Sequence, residues 1–215
     1  AKEKDSIPRI HGVKAQAVEG TPADCILLAA QGLTPEPVDL VISGINEGAN
    51  VGMNVLVSGT VGAAFQAHFF GIPAIAISIA TLKDPTFEAS ARLAAILATM
   101  FRDGTLRGPM LLNVNVPNIA TDSFEGILVT RLGRGRFVDT LEKVATDRHN
   151  YYWLARGRSE WEEEDGTDIW AIRRKLISIT PLHIDLTSDV ASPVLRGFGP
   201  QIFGALQTPT SPPQP

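Results

Sequence analysis

VISGINEGANVGMNVLVSGTVGAAFQAHFFG, residues 41–71, decides how this chain is read. Gly44, Gly48 and Gly52 alternate with Asn46, Asn50 and Asn54 between an apolar run that reads as strand and another that reads as helix. PVDLVIS (37–43) is the short β-branched run of a buried strand, and a helix is expected from about Val61 to Phe70, stopped by Gly71. IPAIAISI (72–79) follows as a second continuous apolar strand. Strand, loose loop, helix and strand in that order form a βαβ pattern.

The pattern extends in both directions. VKAQAV (13–18) alternates as a strand does, and GTPADCILLAAQGL reads as a helix with Thr21 as N-cap, Pro22 at the first position and Asp24 favouring the dipole. Residues 86–103 form the clearest helix, with Leu93, Ile96, Leu97, Met100 and Phe101 on one face and Gly104 as the stop. MLLNVNVP (110–117), GILVTRLG (126–133) and KLISITPLHIDLT (175–187) each contain a strand. Strands alternating with helices predict an α/β fold with a largely parallel sheet. A single domain is expected over 1–190, with a projecting hairpin arm at about 134–165, a C-terminal segment at 191–206 and a disordered Pro-rich tail at 207–215.

Bulk composition narrows the function classes. The 215 residues carry 19 Lys plus Arg against 23 Asp plus Glu, for a formal charge of −4. With no basic stripe, a nucleic-acid polymer is not the expected partner. No apolar run reaches the length of a membrane span, and the first residues show no apolar signal segment, so a cytoplasmic protein is expected. The single cysteine, Cys25, excludes an internal disulfide and a cysteine-built zinc site, and it reads as a buried core thiol.

Chemistry concentrates in the loop after Ser43. In an open parallel sheet, ligands bind beyond the carboxyl ends of the strands. The loop's glycines permit positive φ and close backbone approach, and Asn46 and Asn50 offer hard amide oxygens suited to Mg²⁺, Mn²⁺ or Ca²⁺. Ser58, Gly59 and Thr60 stand immediately before a helix, where unpaired amides and the dipole attract anions. On pattern alone the stretch is either a phosphate cradle or an ordinary turn followed by a cap. It is not a P-loop, because no Lys follows the glycine, and it runs too long for a dinucleotide fingerprint.

At these residues the chain resembles a known family. SGINEGANVG, VSGTVGAA and GIPAIAIS, with GTPADC upstream and DGTDIWAI and ISITPLHIDLT downstream, are similar to the SurE (survival protein E) nucleotidases over about residues 13–187. The resemblance implies a Rossmann-like α/β core and a divalent-metal-dependent phosphatase of nucleoside 5′- and 3′-monophosphates. It also implies one Mg or Mn ion per subunit and a homodimer or homotetramer that exchanges its arm and C-terminal segment. Asn46 is then the metal ligand, Ser58, Gly59 and Thr60 line the phosphate pocket, and Asn50 supports them.

The chain also departs from the family pattern. The family opens with an Asn-Asp-Asp-Gly strand whose aspartates bind the metal, and it adds a serine ligand after the second strand. No adjacent aspartate pair occurs in these 215 residues, and Asp5-Ser6 does not replace one. A missing βαβ unit upstream of Ala1 is the expectation, the family activity being assigned to the parent protein. The competing reading is a non-catalytic binding or assembly module with an incomplete metal site. A dinucleotide-binding oxidoreductase lacks the tight fingerprint and its acidic partner.

Other residues read more plainly. His183 is expected to be a satisfied histidine near a strand end, and His11, His68 and His149 show no metal-ligand spacing. The run from Glu160 to Asp165 reads as a solvated face. Tyr151, Tyr152 and Trp153 read as arm-to-arm packing rather than a base-stacking platform.

Overall fold

The computed structural model describes residues 12–34, 36–137, 140–145, 150–155, 159–161 and 164–207, with side chains for 12–34, 36–134 and 164–207. The first unit, Ala1–Leu182, contains α1 (Pro22–Leu28), β1 (Val41–Glu47), α2 (Gly59–Phe69), β2 (Ala74–Ile79), α3 (Glu88–Arg102) and β3 (Leu111–Val116). It continues with β4 (Gly126–Val129), β5 (Gly135–Phe137), β6 (Thr140–Ala145), β7 (Asn150–Ala155), β8 (Ser159–Trp161), α4 (Asp168–Arg173) and β9 (Leu176–Pro181). The second unit, His183–Pro215, holds α5 (Ala191–Gln207).

Five strands form the main sheet in the order β1-β2-β3-β9-β4. The pairs β1–β2, β2–β3 and β4–β9 are parallel, and β3–β9 alone is antiparallel. Helices cover both faces, as a Rossmann-like α/β fold requires. Because side chains alternate along a strand, β2 shows one face to each layer. Ala74 and Ala76 meet Val61, Ala64 and Ala67 of α2, small residues that let helix and sheet approach closely. Ile75 and Ile77 face the other way, with Leu112, Val114 and Val116 of β3, against Leu93, Ala94 and Leu97 of α3. Ile77 is fully buried, so truncating it to Ala would cost about 2–5 kcal/mol.

Several sequence expectations are corrected. Residues 13–18 form no strand; they pair with nothing among the described residues, and Val13 is exposed. Cys25 is exposed, because α1 buries none of its residues. The helix punctuation holds: Thr21 and Asp24 make a reciprocal capping box with Pro22 in the first turn. On α3 the buried stripe is Ser90, Leu93, Ala94 and Leu97, whereas Ile96 sits on the flank, 49% exposed. Met100 and Phe101 pack partly buried against the same core, so of the five residues expected on that face only Ile96 lies off it.

The arm backbone is a two-part β-hairpin: β5 pairs with β8 and β6 with β7, both antiparallel. Tyr151, Tyr152, Trp153 and the 160–163 part of the acidic run lie outside the described side chains, as do His11, His149 and the tail from 208. His183 is exposed past the end of β9. In its own unit, α5 exposes Val194, Leu195, Phe198, Ile202, Phe203 and Leu206. Among the described residues no helix is long and apolar enough to cross a membrane.

Candidate phosphate-binding site

The sequence puts the end of β1 at Ser43, yet the strand runs on to Glu47 through an irregularity. Gly44 pairs with Ile77 and Asn46 with Ser78, so Ile45 is the extra residue of a bulge. Gly44 has φ +124°, and a Cβ there would collide with the Ile77 carbonyl oxygen, so only glycine fits. The bulge shifts the side-chain alternation by one and sets Asn46 directly beside Ser78. Gly48 and Gly52 also have positive φ, +89° and +54°, as the sequence predicts.

A polar row then crosses the carboxyl ends of three parallel strands. Asn46 of β1 is in register with Ser78 of β2, and Ser78 with Asn115 of β3. The Ser78 hydroxyl donates to Asn46 Oδ1 at 2.8 Å, and Asn50 Nδ2 donates to Ser78 Oγ at 2.8 Å and to Asn46 Oδ1 at 3.1 Å. Asn46 Nδ2 donates to the carbonyls of Glu47 and Gly48 at 3.0 and 2.8 Å. Both sides of the Asn50 backbone are clamped. Its N–H donates to Asn115 Oδ1 at 2.8 Å, and its carbonyl accepts from Asn113 Nδ2 at 2.8 Å and Asn115 Nδ2 at 3.0 Å. Asn113 and Asn115 are fully buried, so their bonds to Asn50 fasten the loop in a dry setting, where they hold most firmly, although Asn113 Oδ1 itself has no partner among the described residues.

The chain leaves this clamp through a 3₁₀ turn, Gly52–Val57, and enters α2 with Ser58 as N-cap. The helix starts two residues before the expected Val61, which places Gly59 and Thr60 in its first turn. Ser58 Oγ accepts the Val61 N–H at 3.2 Å, keeping its own proton free to donate. Among the described residues the Gly59 and Thr60 amides and the Thr60 hydroxyl have no hydrogen-bond partner, and they face the positive end of an eleven-residue helix.

Asn46, Asn50, Ser58, Gly59 and Thr60, the five residues singled out from sequence, line one open cleft of about 540 Å³. Asn54 joins them. Its Nδ2 is buried and without a partner, so one more donor is available to a ligand there. The lining contains no Lys or Arg and carries one carboxylate, Glu47. A larger cavity of about 740 Å³ lies elsewhere, between Asp39, Pro73, Phe101 and Arg107. It has no helix N-terminus, and its cations are engaged, Arg102 by Asp103 and Arg107 by the Gly104 carbonyl. The smaller cleft is the one with unspent donors.

The donor set fits a metal ion only in part. Asn46 Oδ1 is a neutral, hard oxygen on the cleft wall, but two hydrogen bonds already occupy it. Among the described residues no group of three or more His, Cys, Asp or Glu could hold an ion. Among the described residues a neutral oxygen lies on the wall, and a closed shell of ligands does not.

Sequence reasoning missed Ser78, Asn113, Asn115, Asn54 and Asp168. Asn113 and Asn115 had a signal: two polar residues at i and i+2 inside an apolar strand share a face and must find partners if buried. Asp168 gave none. It is fully buried at the start of α4, accepts N–H groups from Gly52, Gly133 and Ile169 at 2.8 Å each, and burial pushes its carboxyl above the usual range against the pull of those amides.

Comparison with known proteins identifies the family and the fold. The pattern of the family described as survival protein SurE matches residues 1–139. A protein of Nitrosomonas europaea named 5′-nucleotidase SurE is 42% identical over 171 residues, 79% of this chain and 69% of the relative. One of the same name from Carboxydothermus hydrogenoformans is 40% identical over 199 residues, 91% of this chain and 75% of that one. The crystal structure of the SurE protein from Aquifex aeolicus superposes with a TM-score of 0.68 at 36% identity, covering 84% of this chain and 74% of that one. With the fold shared and the asparagine-lined cleft at the strand ends, the chain belongs to the SurE family.

Proposed function

We propose that the protein is a phosphatase of nucleoside 5′- and 3′-monophosphates and that its 540 Å³ cleft receives the phosphate. The observation that carries this is the set of unspent donors at one place: the Gly59 and Thr60 amides, the hydroxyls of Ser58 and Thr60, and the orphaned Asn54 Nδ2. The 5′-nucleotidase relatives point to the same substrate class. The amides and hydroxyls hold the phosphoryl oxygens in the ground state. As charge grows on the equatorial oxygens in the transition state, the same fixed dipoles stabilise it without reorganising.

Charge balance supports dependence on a divalent cation, Mg or Mn. A phosphate dianion beside Glu47, in a lining without Lys or Arg, lacks a counter-charge. Asn46 would supply one oxygen by giving up the bonds from Ser78 and Asn50. When bound, such an ion supplies charge neutralisation and an acidified water. A homodimer or homotetramer in the cytoplasm completes the reading, supported by the exposed apolar residues of α5.

The test is phosphate release from adenosine 5′-monophosphate and 3′-monophosphate by the full-length protein, with and without Mn²⁺. Thr60→Val should lower kcat/KM by about tenfold or more at unchanged thermal stability. Equal activity in wild type and variant would refute the cleft assignment. The second reading, a binding or assembly module, is favoured by the occupied Asn46 oxygen and the missing acidic cluster among the described residues. It predicts phosphate binding without turnover.

A further inference from the structure

Asp168 has no part in the chemistry above, yet it is the most heavily engaged buried acid among the described residues. It is fully buried, and its partners are all backbone amides. Oδ2 accepts from Gly52, 116 residues away in the chain, whereas Oδ1 accepts from Gly133 and from Ile169. A buried carboxylate without a cation is costly unless every lone pair is used. Filling space would be served as well by an apolar residue.

What the three amides belong to gives the carboxylate its meaning. Gly52 opens the 3₁₀ turn that ends at Ser58, the N-cap of the phosphate helix. Two residues earlier Asn50 is clamped by β3, and three residues later Val55 is buried. Gly52 is therefore the point at which the loop's path from clamp to cap is set. Gly133 lies at the root of the arm. There Arg131 N–H donates to the Gly166 carbonyl, and Asp168 N–H donates to the Arg131 carbonyl at 2.9 Å. A Cβ on Gly133 would come within 2.6 Å of Ile169 Cδ1 and 3.1 Å of Asp168 Oδ1, so the root is pressed against the carboxylate.

We infer that Asp168 is a positioning residue that bolts the phosphate loop at Gly52 to the arm root at Gly133 and thereby holds the Ser58–Thr60 donors in their binding geometry. The inference rests on the reading of the cleft as a phosphate site. Asp168→Asn is the informative change, because volume is preserved and one carbonyl oxygen can still serve Gly133 and Ile169. The new NH₂ then faces the Gly52 N–H, donor against donor, and only that link is lost.

The experiment compares wild type and Asp168→Asn in the full-length protein, with Thr180→Val as a control for loss of buried hydrogen bonding in neighbouring β9. Without ligand, Asp168→Asn should speed amide exchange in residues 50–57, and Thr180→Val should not. With adenosine 5′-monophosphate, it should raise KM, and the inhibition constant of inorganic phosphate, by about tenfold while kcat changes less. Lower thermal stability with exchange, KM and phosphate inhibition all as in wild type would reduce Asp168 to a structural residue and overturn the inference. Wild type that neither binds phosphate nor releases it would overturn the functional reading instead, leaving the exchange result to judge the bolt. If Asp168→Asn does not fold, wild type decides alone. Inorganic phosphate should then slow exchange in both 50–57 and 131–134 but not in 93–101 of α3, and protection confined to 50–60 would count against the inference.

Discussion

Ser78 stands opposite Asn46 across the β1–β2 pair, and its hydroxyl donates to Asn46 Oδ1 at 2.8 Å while accepting from Asn50 Nδ2. One serine thus fixes both loop asparagines. Ser78→Ala removes a donor and an acceptor from a fully buried position. It should cost about 1–2 kcal/mol in denaturant unfolding. It should also raise KM for a nucleoside 5′-monophosphate, because the loop loses its inner anchor.

Asn46→Ala separates the two jobs of that side chain. Its Nδ2 pins the turn through the Glu47 and Gly48 carbonyls, and its Oδ1 is the single amide oxygen assigned to a cation. Turnover stimulated by Mn²⁺ should disappear, with unfolding shifted by no more than about 2 kcal/mol. Retained stimulation by Mn²⁺ would remove Asn46 from the metal role.

Glu47→Gln tests the charge argument. Glu47 is exposed on the cleft lining, so its repulsion of a phosphate dianion is screened by salt. In the presence of EDTA and at low salt, the variant should bind inorganic phosphate severalfold tighter than wild type. The difference should shrink as salt rises or when Mn²⁺ is restored.

Gly44→Ala should be among the most damaging single changes in the sheet. The new methyl would meet the Ile77 carbonyl oxygen at a residue whose φ is +124°. A loss of about 2–4 kcal/mol follows from strain and displacement of the bulge. Thermal unfolding checks the size, and Gly62→Ala on α2, where a methyl meets nothing within 4 Å, provides a benign comparison.

The α1 cap should respond to acid. The Thr21 backbone N–H, and then its hydroxyl, hold the exposed Asp24 carboxylate below the usual aspartate range. A depressed folded pKa means that the stabilisation is present above the unfolded value, about 3.9, and is lost as pH falls through the lower folded value. Amide NMR signals of residues 23–28 should therefore shift toward fraying below about pH 4, and Asp24→Ala should show that frayed signature already at neutral pH.

Local chemistry fixed much of this protein before any folding was considered. The β-branched runs, the Thr21–Asp24 box and the Ser58-Gly59-Thr60 cap are dictated by neighbours within a few positions, where φ/ψ preference and side-chain reach suffice. The SGIN and SGT segments marked the cleft through their resemblance to a known family, because on pattern alone they read equally as a turn followed by a cap. Tertiary structure decided what depends on distant partners. The bulge that aims Asn46 exists because Gly44 passes over Ile77. Cys25 is exposed although its own run is apolar, since α1 packs only partly, through residues such as Ile26, and Cys25 is not on that side. Asn113, Asn115 and Asp168 acquire their roles only when residues 63, 65 and 116 positions away arrive with unpaired backbone groups. A buried polar side chain is defined by the partner that satisfies it, and no one-dimensional pattern records which partner that will be.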